Sequence, residues 1–249
     1  MGTAHREPEL ARPAFYALRS GGWRDLVTLL HPPYTAWHLS YIALGTAAAP
    51  GLIHGDRLAA ALGAFFLAVG ISAHALDELN GRPLRTRLRS GVLVGLAAVS
   101  LAGAIAIGVL GCVLVSVWLA PLIAVGAMLV PAYNLELFGG RIHSDHGFAL
   151  AWGAFPAFTG YFVQTLQVRP AGILVAAACY LVSLAQRRLS TPVRELRRRT
   201  VSVTGEQRLT DGKVIELDPA RLSMPLEGAL SALWLALVLL AVGLLATRL

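Results

Sequence analysis

Apolar residues fall into seven long runs separated by short polar segments, and each run approaches the about 20 residues that a helix needs to cross a hydrocarbon core. The pattern predicts membrane-spanning helices at 34–53, 57–79, 90–109, 112–133, 147–167, 171–187 and 226–247. Between 90 and 133 hardly any polar residue interrupts the run, so Gly108 and Gly111 mark the expected hairpin turn. One segment breaks the helical rhythm. In TVSVTGEQRLTDGKVIELD, residues 200–218, alternating VSV and VIEL flank turn signals at Thr204–Gly205 and Asp211–Gly212, which predicts a small β-hairpin. The expected fold class is all-α, a polytopic transmembrane bundle of about seven helices with this hairpin as a cytoplasmic insert. The chain then divides into an N-terminal segment 1–33, six helices over 34–187, a basic loop 188–225, and a last helix in 226–249.

Composition strengthens the membrane reading. Of 249 residues, 56% are hydrophobic and 14% charged, and the mean hydropathy of +0.63 is too high for a soluble domain of this size. Charge gives the orientation. Arg6, Arg12, Arg19 and Arg24 precede the first run; Arg82, Arg85, Arg87 and Arg89 follow the second; Arg141 follows the fourth; nine basic residues lie between 187 and 221. Only Arg57, Arg169 and Arg248 fall on the other side, so the positive-inside rule predicts a cytoplasmic N-terminus and an external C-terminus in a bacterial or archaeal plasma membrane. Residues 1–30 lack the apolar core of a cleavable signal, which leaves the first span as the expected anchor. Cys112 and Cys179 fall inside predicted helices, against a disulfide framework or cysteine zinc site. The pI near 10.1 does not imply nucleic acid, because the arginines flank membrane helices without interleaved aromatics; anionic membrane lipids or a phosphorylated ligand suit them better.

The polar chemistry gathers at the inner helix ends. His74, Asp77, Glu78, Asn80, Arg82 and Arg85 follow the second run; Tyr133, Asn134, Glu136, Arg141, His143, Asp145 and His146 follow the fourth; Gln186, Arg187, Arg188, Ser190, Arg194 and Glu195 follow the sixth. A pocket on the cytoplasmic side is the natural inference. Helical spacing predicts that His74, Asp77 and Glu78 share one face. Asp77 with Glu78 suits a magnesium ion completed by phosphate oxygens, since that ion takes only one or two carboxylates and keeps several waters. The HSDH run at 143–146 lacks the helical spacing of a specific zinc motif. Arginine matches phosphate with its planar fork, which makes Arg82, Arg85, Arg187, Arg188 and Arg194 candidate diphosphate clamps. No GxSxG elbow, HExxH pair, P-loop or GxGxxG fingerprint is present.

Three stretches resemble the UbiA-type membrane prenyltransferase superfamily. LHPPYTAWHLSYIALGTAAAP at 30–50 is similar to the start of the family's first helix. SAHALDELNGRP at 72–83 stands where the family has its first aspartate-rich motif, Asn-Asp-x-x-Asp-x-x-x-Asp, and PAYNLELFGG through WGAFPAFTGYFVQT at 131–165 resembles its tyrosine-bearing loop and fifth helix. Asp77 keeps the middle aspartate, whereas Ala73 and His74 replace the leading Asn-Asp and Gly81 replaces the last. The second acidic motif is replaced by QRRLSTPVRELRRR, and the last two of the family's nine helices are lacking. The resemblance implies transfer of an isoprenoid group from an isoprenoid diphosphate to an acceptor. On it, Asp77, Glu78, Tyr133, Asn134 and Glu136 would be catalytic, with Asp77 and Glu78 holding magnesium, and His74, Arg82, Arg141, Arg187, Arg188 and Arg194 would bind substrate. Two alternatives stay open: a non-catalytic relative that binds a lipid or serves a membrane assembly, and an isoprenoid diphosphate cyclase.

Overall fold

The computed structural model describes residues 12–248. After the short helix α1 (Trp23–Leu29), α2 spans Pro32–Ala47; α3 (Gly55–Phe65) continues through a π-helical segment, Phe66–Ala73, into α4 (His74–Leu79). Helix α5 is Ser90–Leu114 and α6 Ala120–Asn134. Helix α7 (Asp145–Ala149) runs through a second π-helical segment, Leu150–Ala154, into α8 (Phe155–Thr165). Helices α9 (Pro170–Arg198) and α10 (Pro219–Ala246) are separated by the expected hairpin, whose strands β1 (Glu206–Arg208) and β2 (Val214–Glu216) pair antiparallel with Gln207 opposite Ile215.

Five helical stretches, Gly55–Leu79, Ser90–Leu114, Val117–Asn134, Pro170–Arg198 and Pro219–Ala246, are long and apolar enough to cross a membrane. The other two expected spans also form helices, but α2 is only 16 residues long and the α7–α8 stretch is more polar. Their position explains why. Both lie in the middle of the bundle, where α2 packs on α8 and α10, and they bury His38, Ser40, Thr46, Thr159 and Gln164. Helices screened from lipid by their neighbours do not need to be apolar all round. The outer helices do, and Val99 and Leu110 on α5 and Leu239 on α10 are left facing outward.

Lipid tails are as apolar as leucine, so the bundle depends on close packing more than on solvent exclusion. The tightest contact joins the two central helices. A Cβ on Gly45 would overlap the carbonyl of Ala157, and one on Gly160 would overlap the carbonyl of Ile42. Beside this crossing, Trp37 Nε1 donates to Tyr41 Oη, and Ser183 of α9 donates to the same oxygen over 2.9 Å. Both rings are fully buried.

Several boundaries differ from the sequence pattern. Helix α5 runs through Gly108 and Gly111 to Leu114, and the chain turns at Val115–Ser116, where Ser116 Oγ accepts from Trp118 N. The two glycines instead admit side chains of the next helix, since a Cβ at Gly108 would meet Ile123 at 2.7 Å. Helix α9 does not stop near 187. It continues past Pro192 to Arg198, about 43 Å at 1.5 Å per residue, and so projects beyond a hydrocarbon core of about 30 Å. Helix α10 starts early, at Pro219, with Asp218 capping it through Arg221 N.

The two ends of the bundle differ in chemistry. At one end, Arg248 donates to the carbonyls of Ala47, Ala49 and Gly51, while Arg57 donates to Val163 O over 3.1 Å. These cations satisfy helix-end carbonyls. The opposite end collects the polar residues of α2, α4, α6, α7 and α9 around a cavity.

Candidate functional site

The cavity has a volume of about 280 Å³ and is walled by the N-terminal segment 13–16, the start of α2, the π segment with α4, the end of α6, and the last three turns of α9. Helix α9 contributes most of its charge. Arg187, Ser190, Arg194 and Arg197 recur at helical spacing and, with Arg198, line the cavity together. Arg187 Nε lies 3.0 Å from Asp145 Oδ1 and its guanidinium covers the Phe148 ring. Arg197 is paired with Glu227 of α10 and reaches the carbonyl of Arg12. Arg194 bonds to Thr191 Oγ1 over 3.1 Å and Arg198 to Pro13 O over 3.1 Å. Neither has a carboxylate partner among the described residues.

A cluster of aromatic and imidazole rings faces the arginines. Tyr133 stacks on His143 at 4.5 Å and meets Trp152 edge-on at 5.6 Å. His31, held at φ 45° immediately before two prolines, stacks on His74 at 4.1 Å. Tyr16 Oη lies 2.7 Å from His31 Nδ1. Burial pushes the Tyr16 hydroxyl well above the usual tyrosine range, and burial, His74 and Arg198 push His31 well below the usual histidine range. Three buried polar atoms of residues on these walls, His31 Nε2, Tyr133 Oη and Gln186 Oε1, have no hydrogen-bond partner among the described residues. Orphaned polar groups are costly unless a ligand or water satisfies them.

A second cavity of about 150 Å³ adjoins the first. It lies between α3, the first π segment, α5, α6 and α8, and its wall is built of small residues such as Ala64, Ala68, Ala104, Gly108 and Gly126. Val69 and Trp152 line both cavities. Each stands in one of the two π-helical segments, a distortion that frequently accompanies functional sites. An arginine-rich chamber thus borders an apolar one.

The expected site residues divide into two groups. Asp77, Tyr133, Asn134, Glu136, His74, Arg187 and Arg194 line the polar cavity. Glu136 stands there at φ 51°, exposed at the rim. Glu78, Arg82, Arg141 and Arg188 do not line it. Glu78 is fully buried on the other side of α4, where its carboxylate accepts from Leu84 N at 2.9 Å, Thr86 N at 2.8 Å and Thr86 Oγ1 at 2.8 Å. It pins the loop after α4. The predicted shared face of His74, Asp77 and Glu78 therefore holds only the first two, because Glu78 turns away to satisfy backbone N–H groups. Arg82 serves the same loop, donating to Leu88 O and Ser90 Oγ, and Arg141 and Arg188 are not part of the cavity wall.

Among the described residues, Asp77 is then the one carboxylate enclosed by the cavity. Arg198, Arg194 and His143 are the cationic or basic groups whose field reaches it most strongly. No group of three His, Cys, Asp or Glu side chains suited to a metal occurs among the described residues. The HSDH run disperses: His143 stacks on Tyr133, Asp145 pairs with Arg187, and His146 bonds to Tyr180. The expected pair of magnesium ligands is therefore split, with Asp77 on the cavity wall and Glu78 committed to the loop after α4.

Sequence reasoning missed Tyr16, His31, Tyr34, His38, Arg197 and Arg198 as cavity residues. For the last two the signal was present, since the 187–190–194 spacing continues to 197 and 198 if the helix is carried through Pro192. No family model matches the chain, and no curated protein or solved structure matches it either.

Proposed function

We propose that this chain is an integral membrane prenyltransferase similar to the UbiA type, which transfers an isoprenoid group from an isoprenoid diphosphate to an acceptor. Its seven helical stretches cross the membrane with the N-terminus and the polar cavity on the cytoplasmic side and the C-terminus outside. The observation that carries the reading is the junction of the two cavities at Val69 and Trp152. An amphiphile lying across it would put a charged head among the arginines and an apolar tail among the alanines and glycines. Its first tail carbon would stand beside Trp152 and Tyr133.

The chemistry follows from that placement. The allylic carbon–oxygen bond breaks and its electron pair leaves with the diphosphate, whose growing negative charge is met by the guanidinium groups of α9. Positive charge left on the allyl group is stabilised by the faces of Tyr133 and Trp152. A nucleophilic atom of the acceptor bonds to the allylic carbon, and Asp77, whose side chain makes no hydrogen bond among the described residues, takes the proton released. His74 and Asn134 shape the floor on which the acceptor rests.

Incubation of the purified protein with a radiolabelled allylic diphosphate and a panel of polar aromatic acceptors tests this. Diphosphate release coupled to a prenylated product, abolished by Asp77→Asn, is the expected result. A cyclised hydrocarbon would redirect the reading to a cyclase. Tight binding without turnover under any condition would favour a non-catalytic lipid-binding relative, a reading supported by Asp77 being the one carboxylate enclosed in the cavity among the described residues.

A further inference from the structure

We infer that the α9 face of the polar cavity is a metal-independent cradle for a diphosphate, in which Arg194 and Arg198 take the place that a divalent cation usually fills. The inference rests on the diphosphate half of the function proposed above and concerns how that group is held. Four arginines line the chamber, but two of them are committed: Arg187 to Asp145 and Arg197 to Glu227. Among the described residues, Arg194 and Arg198 bond only to a threonine hydroxyl and a backbone carbonyl. They stand one helical turn apart on the same face, so two planar forks are offered to two linked phosphates.

Neutral donors complete the cradle. Tyr133 lines the cavity, and its Oη is buried without a hydrogen-bond partner among the described residues. His31 Nε2 is in the same condition. When Tyr16 Oη donates to Nδ1, the proton of neutral His31 resides on Nε2 and can be donated to a ligand. Both atoms suit phosphate oxygens.

The electrostatics disfavour an ion in the same place. A magnesium ion would be repelled by the guanidinium groups of Arg194 and Arg198 and, among the described residues, would find Asp77 as its only enclosed carboxylate. A diphosphate gains from every one of these groups without it. The charge neutralisation that a metal supplies elsewhere is here built into the chain.

The test uses inorganic pyrophosphate, which has no tail, titrated calorimetrically into the full-length protein in detergent with EDTA. Saturable binding is expected, and added magnesium should not tighten it. Arg194→Gln and Arg198→Gln should each weaken binding by about ten- to hundredfold, the loss typical of a charge-assisted hydrogen bond. Arg188→Gln, outside the cavity, should leave it unchanged. Arg194→Lys, which keeps the charge and the fold but loses the fork, should fall between wild type and Arg194→Gln. Binding that appears only when magnesium is restored would overturn the cradle, as would affinity indifferent to all of these variants. If a prenyl diphosphate then bound with magnesium and was turned over, prenyl transfer would stand and the cradle alone would fall. Pyrophosphate bound in EDTA by a protein that makes no product would leave the cradle standing and remove prenyl transfer.

Discussion

The imidazoles of His31 and His74 lie face to face, with centroids 4.1 Å apart and planes within 11°. They come from different elements. His31 caps α2 in a left-handed conformation, and His74 opens α4 with Nδ1 3.1 Å from Gly70 O. Tyr16 closes over the pair. The stack joins three parts of the chain at the floor of the cavity, and it requires His31 to stay neutral.

That requirement sets a pH dependence. Burial, then His74 and Arg198, hold the pKa of His31 well below its ordinary 6.5, so between the two values the unfolded chain binds a proton that the folded one refuses. The stability contributed by a neutral His31 is fully present above 6.5 and is lost as pH falls toward the folded pKa. Melting temperature in detergent should drop between about pH 7.5 and about pH 5 more steeply for wild type than for His31→Gln. Parallel curves for the two proteins would remove His31 from this role.

Asp77 and Glu78 are neighbours with opposite duties, and substitution should separate them. Glu78→Gln weakens acceptors for two backbone N–H groups and the Thr86 hydroxyl, which is expected to cost about 1–3 kcal/mol of stability. Asp77→Asn should melt like wild type and lose turnover. Thermal unfolding and product formation, measured on both variants, check the assignment; a stable Glu78→Gln protein would contradict it.

The crossing of α2 and α8 should tolerate no side chain at its glycines. Gly45→Val and Gly160→Val force backbone against backbone and should prevent recovery of monodisperse protein, at a cost of several kcal/mol. Gly95→Ala on α5, where a Cβ meets nothing within 4 Å, is the matched control. Size-exclusion profiles of the three variants decide the matter.

The apolar cavity should govern tail length. Gly126 lines it, and a Cβ there meets only Phe155 at 3.5 Å, so Gly126→Leu projects its branches into the space. Preference should shift toward a shorter allylic diphosphate by about tenfold, the scale expected from displacing one or two methylene groups of tail. Equal competition by short and long substrates in wild type and variant would detach this cavity from substrate binding.

How far the sequence could be read is clearest along α9 and α4. Hydropathy located the helical stretches because lipid exposure demands apolar runs, and the turn residues at 204–205 and 211–212 located the hairpin. It overstated α2, since a central helix is shaped by its neighbours and not by lipid. The apolar run ends near 187, yet α9 carries on through Pro192 to Arg198 and brings two arginines into the site. Glu78 misled for a different reason. Helical spacing puts it beside His74 and Asp77, but a buried carboxylate goes where N–H groups are, and the loop at 84–86 supplies them. Asp25 does the same for Gly21 and Arg87, another interaction between distant parts of the chain that spacing alone does not reveal.

The polar character of the two central helices also constrains how the protein is made. Alone in a bilayer, α2 would expose His38, Ser40 and Thr46, and α8 would expose Thr159 and Gln164, all groups that hydrocarbon rejects. The strongly apolar α5 and α10 can enter lipid unaided, whereas α2 and α8 gain shelter only when they meet each other and their surround. Helix α2 precedes α10, one of the helices against which it packs, by most of the chain's length. An α2 made before α10 is therefore incompletely shielded until α10 has joined it.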